Sequence, residues 1–247
     1  MDAVPLVRAR IGLIIPSSNR LTEPQFRQHA PPGVAVHVTR LRMTGPHHVP
    51  LAALRPRLAE AALALADARC DLIVFHCTAG SMEEGPAGER AILDAITEAT
   101  GRPAATTATA VLAALAALGA RRLVLLSPYA PAAHAAEVAF LTAAGHAVVR
   151  DRALALGGSD AYIAAPPRLW LESALALADP RADAYFLSCT NIHALPAIVP
   201  LEAALGRPVV ASNQATLWYC LRRCGLADTV PGLGTLLERA LPAPVAI

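Results

Sequence analysis

Short apolar runs alternate along this chain with longer stretches in which Ala and Leu recur at helical spacing. The runs at 10–15, 71–75, 122–126, 147–150, 184–187 and 208–211 predict strands. Between them, 51–68, 89–100, 109–118, 132–144, 169–178 and 215–223 predict helices. Several of these helices meet a glycine stop, at Gly101, Gly119, Gly145 and Gly225. Alternating β and α units of this length predict an α/β fold of parallel sheets covered by helices on both faces.

The pattern occurs twice. Asp71-Leu-Ile-Val-Phe-His-Cys77-Thr78 matches Asp183-Ala-Tyr-Phe-Leu-Ser-Cys189-Thr190, and 189 − 77 = 112. At the same offset, Ile11-Gly-Leu-Ile-Ile-Pro16-Ser17 falls on Leu123-Val-Leu-Leu-Ser-Pro128-Tyr129. Gly101-Arg-Pro103 recurs as Gly206-Arg-Pro208, an offset of 105. Three matches in one order read as two copies of one βα unit, with the two Cys-Thr pairs as equivalent points.

Composition narrows the partners. The 247 residues suffice for one large domain or two small lobes with a substantial core. Hydrophobic residues make up 55% and aromatics 4%, so the core is built of Ala, Leu and Val. A net charge of +2 without a basic stripe argues against nucleic acid. The apolar runs near the N-terminus fall far short of a bilayer span and follow no signal-peptide pattern, so a soluble cytoplasmic protein with no membrane partner is expected.

Five cysteines (Cys70, Cys77, Cys189, Cys220, Cys224) form no zinc-type spacing, and an odd number suits free thiols. The stretch 85–88 lacks the spacing of a nucleotide-binding glycine loop, so no cofactor is expected. Cys70, Cys220 and Cys224 lie in or beside helical segments and read as core. Cys77 and Cys189 differ: each directly follows a strand, at the end where open parallel sheets bind ligands. The polar turn after each offers backbone N–H groups to an anion and is expected to favour thiolate, the nucleophilic form. If the lobes face each other about a pseudo-twofold, the two sulfurs approach one substrate from opposite sides. Asn19 and Tyr129, after the first strand of each copy, are uncharged donors suited to a carboxylate. Ser212-Asn213-Gln214 reads equally as a helix N-cap. His76 and His193 flank the cysteines without a partner visible in sequence, and His47-His48 reads as solvated loop.

Pro16-Ser-Ser-Asn19, Glu23-Pro24, Cys77-Thr-Ala-Gly80, Ser127-Pro-Tyr129, Ser188-Cys-Thr-Asn191 and Ser212-Asn-Gln-Ala-Thr-Leu-Trp218 together resemble maleate cis–trans isomerase. That enzyme is placed in the aspartate/glutamate racemase superfamily, with hydantoin racemases and arylmalonate decarboxylases. The resemblance spans nearly the whole chain. It implies a first lobe of 1–105 plus 213–247 holding Cys77, a second of 106–212 holding Cys189, and a homodimer. It further implies Cys77 as the nucleophile that forms a succinyl-cysteine adduct, and Cys189 as the general acid/base. Asn19, Tyr129 and the backbone at Thr78, Ala79, Thr190 and Asn191 hold the carboxylates in this picture.

The sequence also departs from the pattern. Asp160 stands where the family has an Asn that binds a carboxylate, with Ser159 as the neighbouring candidate. An anion there repels a dicarboxylate and favours a substrate with an amine, an amide or a single carboxylate at that end. Arg20 replaces a small residue and offers a compensating charge. Three further readings follow: a two-thiol racemase or epimerase, a decarboxylase that needs only the second cysteine, and a ligand-binding module without activity. The Cys-Thr-Ala-Gly and Cys-Thr-Asn-Ile turns differ from those of amino-acid racemases, and the presence of Cys77 disfavours the decarboxylase.

Overall fold

The computed structural model describes residues 6–43, 50–239 and 241. His47-His48 lies outside the described residues. The first unit runs β1 (Ala9–Pro16), α1 (Thr22–His29), β2 (Val34–Leu41), α2 (Leu51–Asp67), β3 (Leu72–Phe75), α3 (Thr78–Met82), α4 (Gly85–Thr100), β4 (Ala104–Thr106) and α5 (Thr107–Ala117). The second runs β5 (Arg122–Ser127), α6 (Pro131–Ala143), β6 (Ala147–Ala153), α7 (Ser159–Ala164), α8 (Pro167–Leu175), β7 (Ala184–Leu187), α9 (Leu195–Leu205), β8 (Val209–Ala211), α10 (Ser212–Arg223) and α11 (Gly234–Glu238).

All strand pairs are parallel, in two four-stranded sheets ordered β2-β1-β3-β4 and β6-β5-β7-β8. The same order in both sheets is the structural form of the repeat. Its first residues have matching work: Asp71 accepts from the Arg10 N–H at 2.8 Å, and Asp183 from the Arg122 N–H at 2.8 Å. Each aspartate ties the start of one central strand to the next. The Gly-Arg-Pro pair ends α4 and α9, where Gly101 (φ 63°) and Gly206 (φ 61°) take the left-handed conformation that closes a helix.

The two central strands of each sheet are buried on both faces, as their apolar runs predict. Ile11, Leu13 and Ile15 join a core continuous with the second sheet, α5 and α10, while Ile14, Ile73 and Phe75 face α2 and α4. Helices α5 and α10 follow the last strand of each sheet and pack against each other at the centre. Among the described residues no helix is long and apolar enough to cross a membrane.

Several elements were not expected. The edge strand β2 is half exposed, so it lacks the uniform apolar run of the central strands, whereas β6 lies where a strand was expected at 147–150 and runs on through the polar Asp151 and Arg152 to Ala153. Strand β4 has only three residues. Helix α1 is largely polar and α9 contains Pro196 and Pro200, which obscure its periodicity. Helix α4 begins four residues before the expected 89, so 85–88 form its first turn, with Pro86 where a missing N–H costs nothing.

Candidate active site

In a sheet ordered 2-1-3-4 the chain leaves β1 toward one side and β3 lies on the other, which opens a crevice beyond their carboxyl ends. Ser18 and Asn19 follow β1, and Cys77 follows β3. The second sheet repeats this with Tyr129 after β5 and Cys189 after β7. The two crevices meet in one cavity of about 30 Å³. It is lined from the first unit by Pro16, Ser18, Asn19, Cys77, Thr78 and Ala79. Tyr129, Ser159, Tyr162, Cys189, Thr190 and Asn191 line it from the second. A groove of about 520 Å³ between α4, α6 and α10 is larger but touches neither cysteine.

Both cysteines are 7% exposed. Burial pushes the Cys77 thiol up to about 11 and the Cys189 thiol up to about 12. The turn N–H groups do favour thiolate, as expected, yet the net shift of both thiols is upward. Those donors are present, and they lower the pKa of each thiol, but desolvation outweighs them. The Gly80 N–H reaches the Cys77 sulfur, an approach a side chain would crowd, since a Cβ on Gly80 would lie 3.2 Å from that atom. The Asn191 N–H reaches the Cys189 sulfur at 3.3 Å, and the Tyr129 hydroxyl also donates to it. The two equivalent positions differ in backbone. Cys77 is extended at φ −148°, whereas Cys189 has φ 128°, which a residue with a side chain rarely adopts.

A dense set of hydrogen bonds joins the units around the cavity. The Asn19 Oδ1 accepts from the N–H groups of Leu21 (3.1 Å) and Thr22 (3.0 Å), capping α1. Its Nδ2 donates across the cleft to the Thr190 hydroxyl (3.0 Å) and carbonyl (3.3 Å). The Arg20 N–H donates to Asn191 Oδ1 at 3.0 Å. Ser212 and Asn213 open α10, and both are buried. The Ser212 hydroxyl accepts from the Thr78 hydroxyl at 2.9 Å and from the Cys189 N–H at 3.1 Å. Asn213 Nδ2 donates to the Thr190 carbonyl at 3.1 Å, and its Oδ1 accepts from His76 Nε2 at 2.8 Å. The sequence left these two residues equally open to a helix cap; a polar run directly after a strand was the available signal.

Asp160 is not in the cavity. It lies on the outer side of the first turn of α7, its side chain 95% exposed and paired with Arg20. Its neighbour Ser159 turns inward and lines the cavity, donating to the Ser18 hydroxyl at 2.9 Å. Among the described residues the expected repulsion of a dicarboxylate therefore has no source in the cavity, whose lining side chains are all uncharged types. His76 makes no dyad with Cys77. It is fully buried, bonded to Asn213 and to the Thr107 hydroxyl (3.1 Å), and burial lowers it to about 4, so it is neutral. His193 lies on a separate groove with Leu21 and Pro196.

Sequence reading missed Tyr162 and Glu137. Tyr162, on α7, lines the cavity and packs edge-on against Tyr129 at 6.0 Å. Glu137 is 1% exposed on α6 and accepts from the Ser188 hydroxyl at 2.5 Å.

The arylmalonate decarboxylase family model matches residues 11–237. A maleate isomerase of Nocardia farcinica is 31% identical over 240 residues, covering 93% of this chain and 96% of the relative. The solved structure of a maleate isomerase from Pseudomonas putida S16 with maleate superposes with a TM-score of 0.87. It is 28% identical and covers 94% of this chain and 98% of its own. A cysteine-to-serine variant of the Nocardia farcinica maleate cis–trans isomerase, holding a covalent succinylcysteine intermediate, gives a TM-score of 0.85 at 28% identity. It covers 93% of this chain and 98% of its own.

Proposed function

Because this chain belongs to the family of arylmalonate decarboxylase and maleate isomerase, and brings two cysteines to one cavity, we propose that it interconverts maleate with its trans isomer. A small unsaturated carboxylate of the same kind is the wider substrate class. The observation that carries the reading is the pair Cys77 and Cys189, one from each repeat, lining the same 30 Å³ space. The succinylcysteine held by the Nocardia farcinica relative supports it.

The reacting form has one thiolate and one thiol. The Cys77 thiolate adds to an olefinic carbon of maleate, and the π electrons move onto the neighbouring carbon and its carboxylate. Cys189 gives its proton to that carbon, leaving a succinyl adduct on Cys77 and a thiolate on Cys189. The former double bond is now single and rotates. Cys189 then removes a proton, the C–S bond breaks, and the trans product leaves with both sulfurs as they began. The Gly80 N–H stabilises the first thiolate, and Tyr129 and the Asn191 N–H stabilise the second, against the desolvation that holds both thiols protonated at rest. Asn19 and the backbone N–H groups of Thr78, Ala79 and Thr190 hold the carboxylates, joined by Tyr129 and the Asn191 N–H while Cys189 is a thiol. Asn19 does so by giving up a bond to Thr190. A cytoplasmic homodimer without a cofactor completes this reading.

The family model favours one other activity, decarboxylation, in which Cys189 alone protonates the product and Cys77 has no role. The binding-module reading rested on Asp160 and leaves the cavity with it. Proton NMR in D₂O with maleate, an arylmalonate and small amino acids separates these outcomes. Conversion of maleate to its trans isomer is expected. Loss of the arylmalonate carboxyl without any change in maleate would overturn the isomerase reading.

A further inference from the structure

Glu137 presents a chemical problem. Its Oε1 accepts from Ser188, but its Oε2 is fully buried and has no hydrogen-bond partner among the described residues. Among the described residues no Lys, Arg or His forms an ion pair with it. A carboxylate left this dry is costly, so the group keeps its proton. Burial raises it to about 8. The titratable groups around it are Cys77 after β3, Cys189 after β7, Tyr129 after β5 and Tyr162 on α7. The pKa of each is raised by a negative charge on Glu137. From the other elements packed on α6, Glu83 closes α3 and its charge also raises Cys77, Glu89 of α4 is held by Thr106 and Thr109, and Asp151 of β6 is paired with His134.

The repeat gives Glu137 a counterpart, because 137 − 25 = 112 places it opposite Gln25 of α1. Gln25 accepts from Asn213, which holds His76, the residue before Cys77. Glu137 holds Ser188, the residue before Cys189. The first helix of each unit thus supports the peptide leading into its cysteine. Every member of the chain from Gln25 through Asn213 to His76 is neutral. In the second unit, neutrality depends on a proton, and the peptide it supports leads into the strained Cys189 backbone at φ 128°.

We propose that Glu137 is a positioning residue for the thiol pair, anchoring Ser188 as a neutral carboxyl and closing the site down, when it ionises, by opposing thiolate formation. This inference rests on the reading of Cys77 and Cys189 as the reacting thiols. The test compares wild type with Glu137→Gln, which puts the first unit's side chain in the second. Iodoacetamide alkylation of Cys77 and Cys189, resolved by mass spectrometry, is followed from pH 6 to 10 beside kcat/KM for maleate. The variant is expected to alkylate roughly tenfold faster at pH 9 and to lose the alkaline fall in kcat/KM. Ser188→Ala should lower kcat with little change in KM.

Alkylation needs no turnover. A protein inactive on maleate that still shows the displaced alkylation curve would reject the isomerase reading and leave the role of Glu137 standing. An active enzyme whose two alkylation curves coincide would overturn the role alone. Carboxyl-carbon NMR of Glu137 in the unmodified protein gives an independent check, since titration in the ordinary carboxylate range near 4 would also overturn it.

Discussion

Thr78 donates to the Ser212 hydroxyl at 2.9 Å, and the same oxygen accepts from the Cys189 N–H at 3.1 Å. One hydroxyl therefore links the turn after Cys77 to the peptide of Cys189. In Ser212→Ala the buried Cys189 N–H loses its acceptor, which destabilises the fold by about 1–3 kcal/mol. Losing that alignment should also lower kcat about tenfold, the rate equivalent of one hydrogen bond. Urea unfolding and steady-state kinetics check the two effects.

The unequal roles proposed for the cysteines give unequal variants. Cys77→Ser should abolish turnover and leave no adduct. Cys189→Ser should still accumulate the adduct, protonated slowly from solvent, and release product slowly, because a serine hydroxyl stays un-ionised and supplies no thiolate to take the proton back. Intact-mass spectrometry after incubation with maleate is expected to show a bound succinyl group in the second variant only. Its appearance in Cys77→Ser would assign the nucleophile wrongly.

Asp160 sits outside the cavity, so Asp160→Asn should leave kcat/KM for maleate within about twofold. An exposed pair such as Arg20–Asp160 contributes at most about 1 kcal/mol. A rise of tenfold or more in the variant would mean that the carboxylate faces the substrate after all.

Asp183 accepts from the N–H groups of Arg121 (3.0 Å) and Arg122 (2.8 Å) and pairs with the Arg122 guanidinium at 2.7 Å. These donors hold its carboxyl well below the usual carboxylate range. The folded state thus binds the proton more weakly than the unfolded chain, whose pKa is about 3.9. The resulting stability is fully present above that value and is lost progressively as pH falls from it through the lower folded value. Asp183→Ala should cost about 1–3 kcal/mol at pH 7. The gap to wild type should shrink toward pH 3, as read by urea midpoints at both values.

What the sequence made legible follows from burial. Central strands covered on both faces are uniformly apolar, so 10–15, 71–75, 122–126 and 184–187 stood out, and with them the cysteines at their ends. Strand β2 was missed although Val34, Val36 and Val38 alternate with other residues, because an edge strand offers only half the apolar signal. The side on which Asp160 lies could not be read, since a one-residue step on a helix turns a side chain by about 100°. Glu137 lies in an Ala-rich helix with nothing around it to mark chemistry. Only the fold carries it under Ser188, although its offset of 112 from Gln25 was already in the sequence.

The two sulfurs stand on separate sheets, so no single rigid element fixes the gap between them. That gap is set by the cross-cleft bonds, from Asn19 to Thr190, from Thr78 through Ser212 to Cys189, and from His76 through Asn213 to Thr190. These bonds act as the gauge of a pair of jaws. Substitutions in Ser212 or Asn213 reset the jaw width while both thiols keep their own turns. Ser212 and Asn213 lie outside the cavity lining, so they bear on that spacing from behind the walls.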